Sequence, residues 1–281
     1  MFGPIGCEVV MKITRSPFTQ IFNSVTDNTN WNPAYLFSSG QLGFWYDPSD
    51  ITTLFQDNLG VTPVTAAGQT VGRILDKSGN GYHATQATLA QRPLYQIDAN
   101  GRPYLSFDGV DDNMVIPSIA ISGTEPLFFC FGAQRPSRAT AVHAGLFSFG
   151  KSGNTLTFPG FNLQIRGSGV PAYSPQVMTS STTAAAFFQT PANSFGDIAK
   201  KVVSATRSVI RLNANGITTT GNTVDFSGFV TQFNRLGCTY ANVNANFYIG
   251  GIYSAIFAAV PMITSQIFTA ETWVNEKTGA Y

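Results

Sequence analysis

The sequence predicts an all-β fold: a two-sheet antiparallel jelly-roll sandwich over residues 41–281, closed by a short C-terminal helix and preceded by an extended N-terminal arm, residues 1–40. Three observations predict it. Only 11% of the 281 residues are charged, so there is little Lys and Glu from which to build exposed helices. Apolar runs are of strand length, and each ends in Gly, Pro, Asn or Asp. The 23 phenylalanines and 10 tyrosines suit pleated, half-buried surfaces and supply the bulk to fill a space between two sheets.

In chain order, residues 1–40 mix Gly, Pro, Asn, Ser and Thr with isolated aromatics (Phe18, Phe22, Trp31, Tyr35, Phe37) and sustain neither a strand nor a helix period. Such an arm has apolar anchors but no core of its own. Leu42 to Tyr46 reads as a strand. Asp47-Pro48-Ser49-Asp50 then turns the chain, with Asx side chains expected to cap the turn from Ile51 to Phe55. Val71 to Leu75 is a strand running into Asp76-Lys77-Ser78-Gly79-Asn80-Gly81, where Gly and Asn offer positive φ. Arg102 to Phe107 alternates, Asp108-Gly109 turns, and Met114 to Ile116 resumes as a strand. Leu127 to Ala133 and Gly145 to Phe149 are nearly continuous apolar runs and are placed in the interior. Residues 151–198 read as long loops around one or two strands, Phe161 to Ile165 being the clearest. Lys201 to Leu212 reads as a strand, Asn215-Gly216 as a hairpin turn and Ile217 to Thr220 as its return. Phe247 to Phe257 is aromatic, β-branched and central. The helix follows at about Thr264 to Lys277, capped by Thr264 or Ser265, with Ile267, Ala270 and Val274 on one face and Gly279 as its stop.

Charge and cysteine usage exclude several classes. The formal net charge is +1, and the only loose cationic group is Lys200, Lys201, Arg207 and Arg211, so no nucleic-acid partner is expected. Cys7, Cys130 and Cys238 are too far apart and too few for a disulfide scaffold or zinc site and read as buried free thiols. Residues 1–12 lack the basic start and uninterrupted apolar core of a secretory signal. The longest apolar run, Ile252 to Ile263, is too short to span a bilayer and contains Pro261, so no membrane insertion is expected.

The stretch from Gly43 to Asp112 resembles a group of bacteriophage and prophage virion proteins with a concanavalin A-like (laminin-G-like) jelly-roll domain. The likeness is carried by Trp45-Tyr46-Asp47-Pro48-Ser49-Asp50, Leu54-Phe55-Gln56-Asp57, Leu75 to Gly81 with His83-Ala84, Arg92-Pro93, and Leu105 to Asp112. The close of the chain agrees, in Phe247 to Gly251 and the helix through Glu271, Trp273 and Lys277-Thr278-Gly279. The resemblance implies a structural protein displayed on a virion surface as a decoration or fibre-like component, made in the host cytoplasm. It further implies other capsid or tail proteins as partners through the N-terminal arm, and homo-oligomeric copies. The alternative is a carbohydrate-binding adhesin contacting host surface glycan through residues 151–198.

Candidate chemistry is sparse, and no catalytic residue and no required cofactor is expected. Gly145-Leu146-Phe147-Ser148-Phe149-Gly150-Lys151-Ser152 matches a phosphate-loop pattern in letters, but its interior residues favour a strand and Gly153-Asn154 breaks any helix. Asp108, Asp111 and Asp112 place three carboxylates on one turn, a candidate calcium site lacking the ligand spacing of a dedicated loop. A glycosidase needs two carboxylates flanking a sugar. Enzymes of the concanavalin-like fold carry a Glu-x-Asp-x-x-Glu strand, and Glu8, Glu125, Glu271 and Glu276 are not so arranged. His83 and His143 are too few for a metal centre, and His83 reads as a strand-end residue. Tyr82, Tyr95, Tyr104 and Tyr173 would stack on sugar rings if exposed.

Overall fold

The computed structural model describes residues 31–121, 125–135, 144–150, 160–165, 174–180, 185–191, 195, 199–206, 209–212, 218–220, 233–239 and 246–281. The strands of the first half are β1 (Gly43–Tyr46), β2 (Leu54–Phe55), β3 (Arg73–Ile74), β4 (Ala84–Thr85), β5 (Leu94–Ile97), β6 (Pro103–Asp108), β7 (Met114–Ile116) and β8 (Phe128–Gln134). They are followed by β9 (Ala144–Gly150), β10 (Gly160–Ile165), β11 (Pro175–Ser180), β12 (Ala185–Gln189) and β13 (Lys200–Thr206). Last come β14 (Val209–Leu212), β15 (Thr218–Thr220), β16 (Phe233–Leu236), β17 (Ile249–Ala258) and the helix α1 (Thr264–Thr278).

The strands form two antiparallel sheets, as the sequence predicts. Sheet I runs β15-β14-β13-β8-β17-β6-β5, and sheet II runs β12-β11-β10-β9-β16-β7-β4-β3-β2. β17 organises sheet I: one edge pairs with β8, while the other is shared by β6 (Ile249 to Ile252) and β1 (Ala255 to Ala258). Gly43 is required where β1 meets it, because its φ is 142° and a Cβ there would lie 2.0 Å from the Phe257 carbonyl oxygen.

Between the sheets lies the aromatic core. Phe129 and Phe257 stack at 4.8 Å, Phe147 meets Phe149 edge-on at 5.0 Å, and Phe44 reaches Phe147 at 5.3 Å. Each fully buried phenylalanine contributes about 1.5–3 kcal/mol by removal from water, and the rings explain why so Phe-rich a chain needs no helical layer inside. The outer face of sheet I is covered in part by α1, which packs on β13, β8 and β17. Both faces of β8 are therefore buried, as its continuous apolar run predicts.

Several readings are corrected. Lys201 to Leu212 holds two paired strands, β13 and β14, rather than one; Arg207-Ser208 between them offers no Gly or Pro turn signal in the sequence. The described residues within 151–198 hold three strands, β10 to β12, rather than one or two. Ile263, not Thr264 or Ser265, precedes the first turn of α1, and the Gln266 side chain accepts the Ile263 amide at 3.0 Å in place of a hydroxyl cap. Asp50 takes the Thr52 hydroxyl at 2.6 Å and caps no backbone amide by its side chain. In the 76–81 turn Gly79 and Gly81 take the positive φ values and Asn80 does not. The Asn215-Gly216 turn, Cys7, Tyr173, Arg207, His143 and Lys151 lie outside the described residues.

Trp31 to Gly40, assigned to the arm by sequence, packs with the sandwich. A 3-10 turn at Pro33–Phe37 starts where Asn32 Oδ1 accepts the Ala34 amide at 2.9 Å, and it buries Leu36 and Phe37 against β1 and β17.

Candidate functional site

The motifs that open the domain are built around buried carboxylates that satisfy backbone. Asp76 Oδ1 accepts the amides of Trp45 (3.0 Å) and Ser78 (2.9 Å), and Oδ2 accepts the Tyr82 amide (3.0 Å) and the Ser78 hydroxyl (2.7 Å). Asp47 accepts the Ser49 amide and lies 3.4 Å from Lys77 and 3.5 Å from Lys277. Trp45 meets Trp273 of α1 edge-on at 5.5 Å, so the first strand is fastened to the last helix. The two carboxylates are thus engaged by the fold itself.

Asp108, Asp111 and Asp112 do converge: one oxygen of each lies within 4.8 Å of the others, a separation one calcium ion with ligands at ~2.3–2.6 Å can span. Asp108 Oδ1 already accepts the Val110 amide at 2.8 Å, and Asp112 Oδ2 accepts the Asp108 amide at 2.9 Å. Burial first, then the like charges of Asp108 and Asp111, pushes the Asp112 carboxyl up to about 6. The group is thus an acidic turn with one member whose pKa is raised by burial.

Of the tyrosines expected to meet sugar, Tyr95 is in the core and Tyr82 packs against it. Tyr104 stacks on Tyr253 at 5.0 Å on sheet I, but Tyr253 is fully buried and its hydroxyl donates to Gln134 Oε1 at 2.8 Å. Lys200 ion-pairs with Asp98 and sits over the Tyr253 ring, and Arg211 pairs with Glu271, so these cations serve packing. Gly145 to Phe149 lies inside β9, paired on both edges, as its strand reading requires.

A further set of side chains lies on the face of sheet II turned away from the core. Core residues Leu54, Ile74, Ala84, Met114, Ile116, Leu236, Phe147, Phe149 and Leu163 fix the inward side of each strand. The alternate positions form one cross-strand row: Phe55, Arg73, Thr85, Val115, Arg235, Ser148 and Asn162, on β2, β3, β4, β7, β16, β9 and β10. Five of these seven are polar and none is a carboxylate.

The row has two parts. Phe55, Arg73, Thr85, Val115 and Arg235 are half-buried, while Ser148 and Asn162 are buried. Beside them runs an amide ladder: Gln164 donates to Gln176 at 2.6 Å, and Gln176 donates to Gln189 at 2.9 Å. The Oε1 of Gln164 is buried and accepts no hydrogen bond. Ser148 is closed off because its hydroxyl donates to the Cys238 carbonyl at 3.1 Å, and a Cβ on Gly145 would lie 2.3 Å from that same segment. The half-exposed part is a strip of five strands about 19 Å long at ~4.8 Å per strand.

His83 immediately precedes β4. Its Nδ1 accepts the Asp76 amide at 2.9 Å, which places the proton of the neutral ring on Nε2. Burial first, then the Arg73 guanidinium, holds its pKa below the usual imidazole value. The sequence did not single out Arg73, Thr85 or Arg235, since strands of two residues show no period and β16 joins the row only through topology.

No protein-family model matches this chain, and no curated protein matches it in sequence. Solved structures with a similar fold do. Domain 4 of an extracellular arabinanase from Geobacillus stearothermophilus, solved with arabinotriose, aligns at TM-score 0.53 and 14% identity over 82% of this chain and 98% of its own. The binding domain of botulinum neurotoxin serotype D/C aligns at 0.52 and 10% identity over 83% of this chain. A Trypanosoma rangeli sialidase aligns at 0.51 and 12% identity over 85%. This chain spans 52% of the toxin chain and 33% of the sialidase chain. At such identities the likeness is one of fold, and it agrees with the two-sheet sandwich read from the sequence.

Proposed function

We propose that this protein is a non-catalytic carbohydrate-binding sandwich that lays an oligosaccharide along the half-exposed strip of sheet II. The observation that carries the reading is the cross-strand row itself. A sheet face turned away from the core offers an aromatic ring, two guanidiniums and a hydroxyl in register, on rigid strands stitched to a buried amide ladder. An aromatic face to lie against and fixed polar groups to orient it are what a sugar ring requires. The absence of a carboxylate from the row supports binding without hydrolysis, which would need an acid and a second carboxylate across the ligand. The arabinanase domain solved with arabinotriose lends support at the level of fold.

The test is a glycan array with the full chain beside Phe55→Ala and Thr85→Val variants. Selective binding by the wild type that weakens about tenfold in Phe55→Ala is expected, the loss of one ring contact. An array without hits, or a profile unchanged by both substitutions, would end this reading. A parallel arm with added calcium addresses Asp108, Asp111 and Asp112: a calcium-dependent rise in Tm that Asp112→Asn abolishes is the expected sign of a metal there.

The resemblance to phage virion proteins supports a setting for this binding: display on a particle, with residues 1–30 as the attachment segment and several copies presented together. Deleting residues 1–30 leaves Leu36 and Phe37 in place and is expected to block incorporation into particles while sparing glycan binding. Normal incorporation of that variant would remove the attachment role.

A further inference from the structure

We propose a second saccharide site on the other sheet: the outer face of sheet I at Gln96, Tyr104 and Ser106, which takes a single neutral sugar ring. It goes beyond the strip of sheet II and shares no residue with it. Tyr95, Leu105 and Phe107 belong to the core, so Leu94, Gln96, Tyr104 and Ser106 on β5 and β6 point outward. Gln96 lies directly across from Tyr104, and Leu94 from Ser106. The helix α1 packs on β13, β8 and β17 of this sheet. Toward the β5 edge the same face is only half-buried at all four positions.

The Tyr104 ring is seated before any ligand arrives. It stacks on Tyr253 at 5.0 Å, and Tyr253 is fully buried and tied through its hydroxyl to Gln134 Oε1 at 2.8 Å. Gly251 makes room for it, since a Cβ there would lie 2.8 Å from Tyr104 Cδ2. Stacking thus occupies one face of a ring that is still half-exposed, and a sugar ring lies well against such an aromatic face. Among the described residues, the Tyr104 hydroxyl, the Gln96 amide and the Ser106 hydroxyl have no hydrogen-bond partner, and none of these atoms is buried. Each of the three groups both donates and accepts, as a sugar hydroxyl does. The bordering charges are engaged: Asp98 accepts the amides of Asn100 and Arg102 and pairs with Lys200, and Asp108 accepts the Val110 amide. The Arg102 guanidinium lies at the C-terminal end of α1, its Cζ 2.5 Å from where a Cβ on Gly279 would stand. An acidic sugar therefore finds little charge assistance here. The patch measures about 7 Å along β6 and about 5 Å across to β5, room for one ring rather than a chain.

The experiment titrates the full chain with the methyl glycosides of glucose, galactose, mannose and arabinose, and with methyl galacturonoside as the acidic control, by ligand-observed NMR. Binding of at least one neutral glycoside is expected, with little change on adding salt. Tyr104→Ala should weaken it about tenfold and Gln96→Ala about fivefold, while Phe55→Ala leaves it unchanged. Gly251→Ala touches no ligand, yet should weaken binding too, because its methyl group displaces the ring. Neutral binding that Phe55→Ala abolishes and that both Tyr104→Ala and Gln96→Ala retain overturns this site and leaves the strip of sheet II standing. The reverse pattern supports this site and counts against the strip. Galacturonoside bound more tightly than the galactoside overturns the neutral class, and no binding of any neutral glycoside overturns the proposal outright. Should Tyr104→Ala fail to fold, Gln96→Ala on the edge strand decides the matter.

Discussion

At the scale of the residue, Asp112 sets turn geometry against charge. Its carboxylate accepts the Asp108 amide, yet burial and two neighbouring acids raise its pKa from 3.8 to about 6. A native pKa above the unfolded one means that the folded state binds the extra proton between those values. Stability therefore falls as pH rises through that window, and the full penalty is present above pH 6. Asp112→Asn keeps an acceptor for the Asp108 amide and removes the charge. The variant should gain about 1 kcal/mol near neutral pH, seen as a Tm higher by about 2–4 °C, and nothing at pH about 4. An equal gain at both pH values would assign the effect to packing rather than charge. The Asp-Gly turn itself was plain in the sequence, because turn chemistry is local. That Arg73 and Thr85 share one outward row was not, because Arg73–Ile74 and Ala84–Thr85 are two-residue strands with no alternation to read.

At the scale of the element, α1 shows what periodicity conveys and what it hides. Ile267, Ala270 and Val274 are buried as their spacing predicts, and the helix stops at Gly279 with φ 64°. Glu271, on the same helix, is fully buried, accepting from Ser204 Oγ at 2.6 Å and Arg211 Nε at 2.9 Å. Its partners stand 60 and 67 residues earlier, on β14 and β13, a distance no local pattern reports. The pair anchors the helix to sheet I, and Arg211 also covers the Phe268 ring at 4.5 Å. Removing one member strands a buried charge: Arg211→Met should cost about 3 kcal/mol, and replacing both, with Glu271→Leu added, should restore much of it. Urea midpoints with unchanged m-values check this. A double variant no better than the single would show that Glu271 is held by Ser204 and the helix rather than by the ion pair.

At the scale of the molecule, sheet class, core and closing helix were legible because each rests on composition or on neighbouring residues. The cross-strand row of sheet II was not: its members follow the spatial order 55, 73, 85, 115, 235, 148, and the step from β7 to β16 to β9 is made by topology alone. The domain boundary is a milder case of the same difficulty. Pro33–Phe37 shows no period, so residues up to 40 read as arm, yet Leu36 is fully buried and Phe37 is 7% exposed, both packed among the described residues from Trp31 onward. Burying two such side chains stabilises by roughly 3–6 kcal/mol at most, a large part of a typical domain's ~5–15 kcal/mol. A chain beginning at Gln41 should then melt about 10 °C below one beginning at Trp31, and should expose the core-facing surface of β1 and β17 to a hydrophobic dye. Equal melting temperatures would return the boundary to residue 41 and make the 3-10 turn an ornament of the arm; the expected difference makes it the first element of the sandwich.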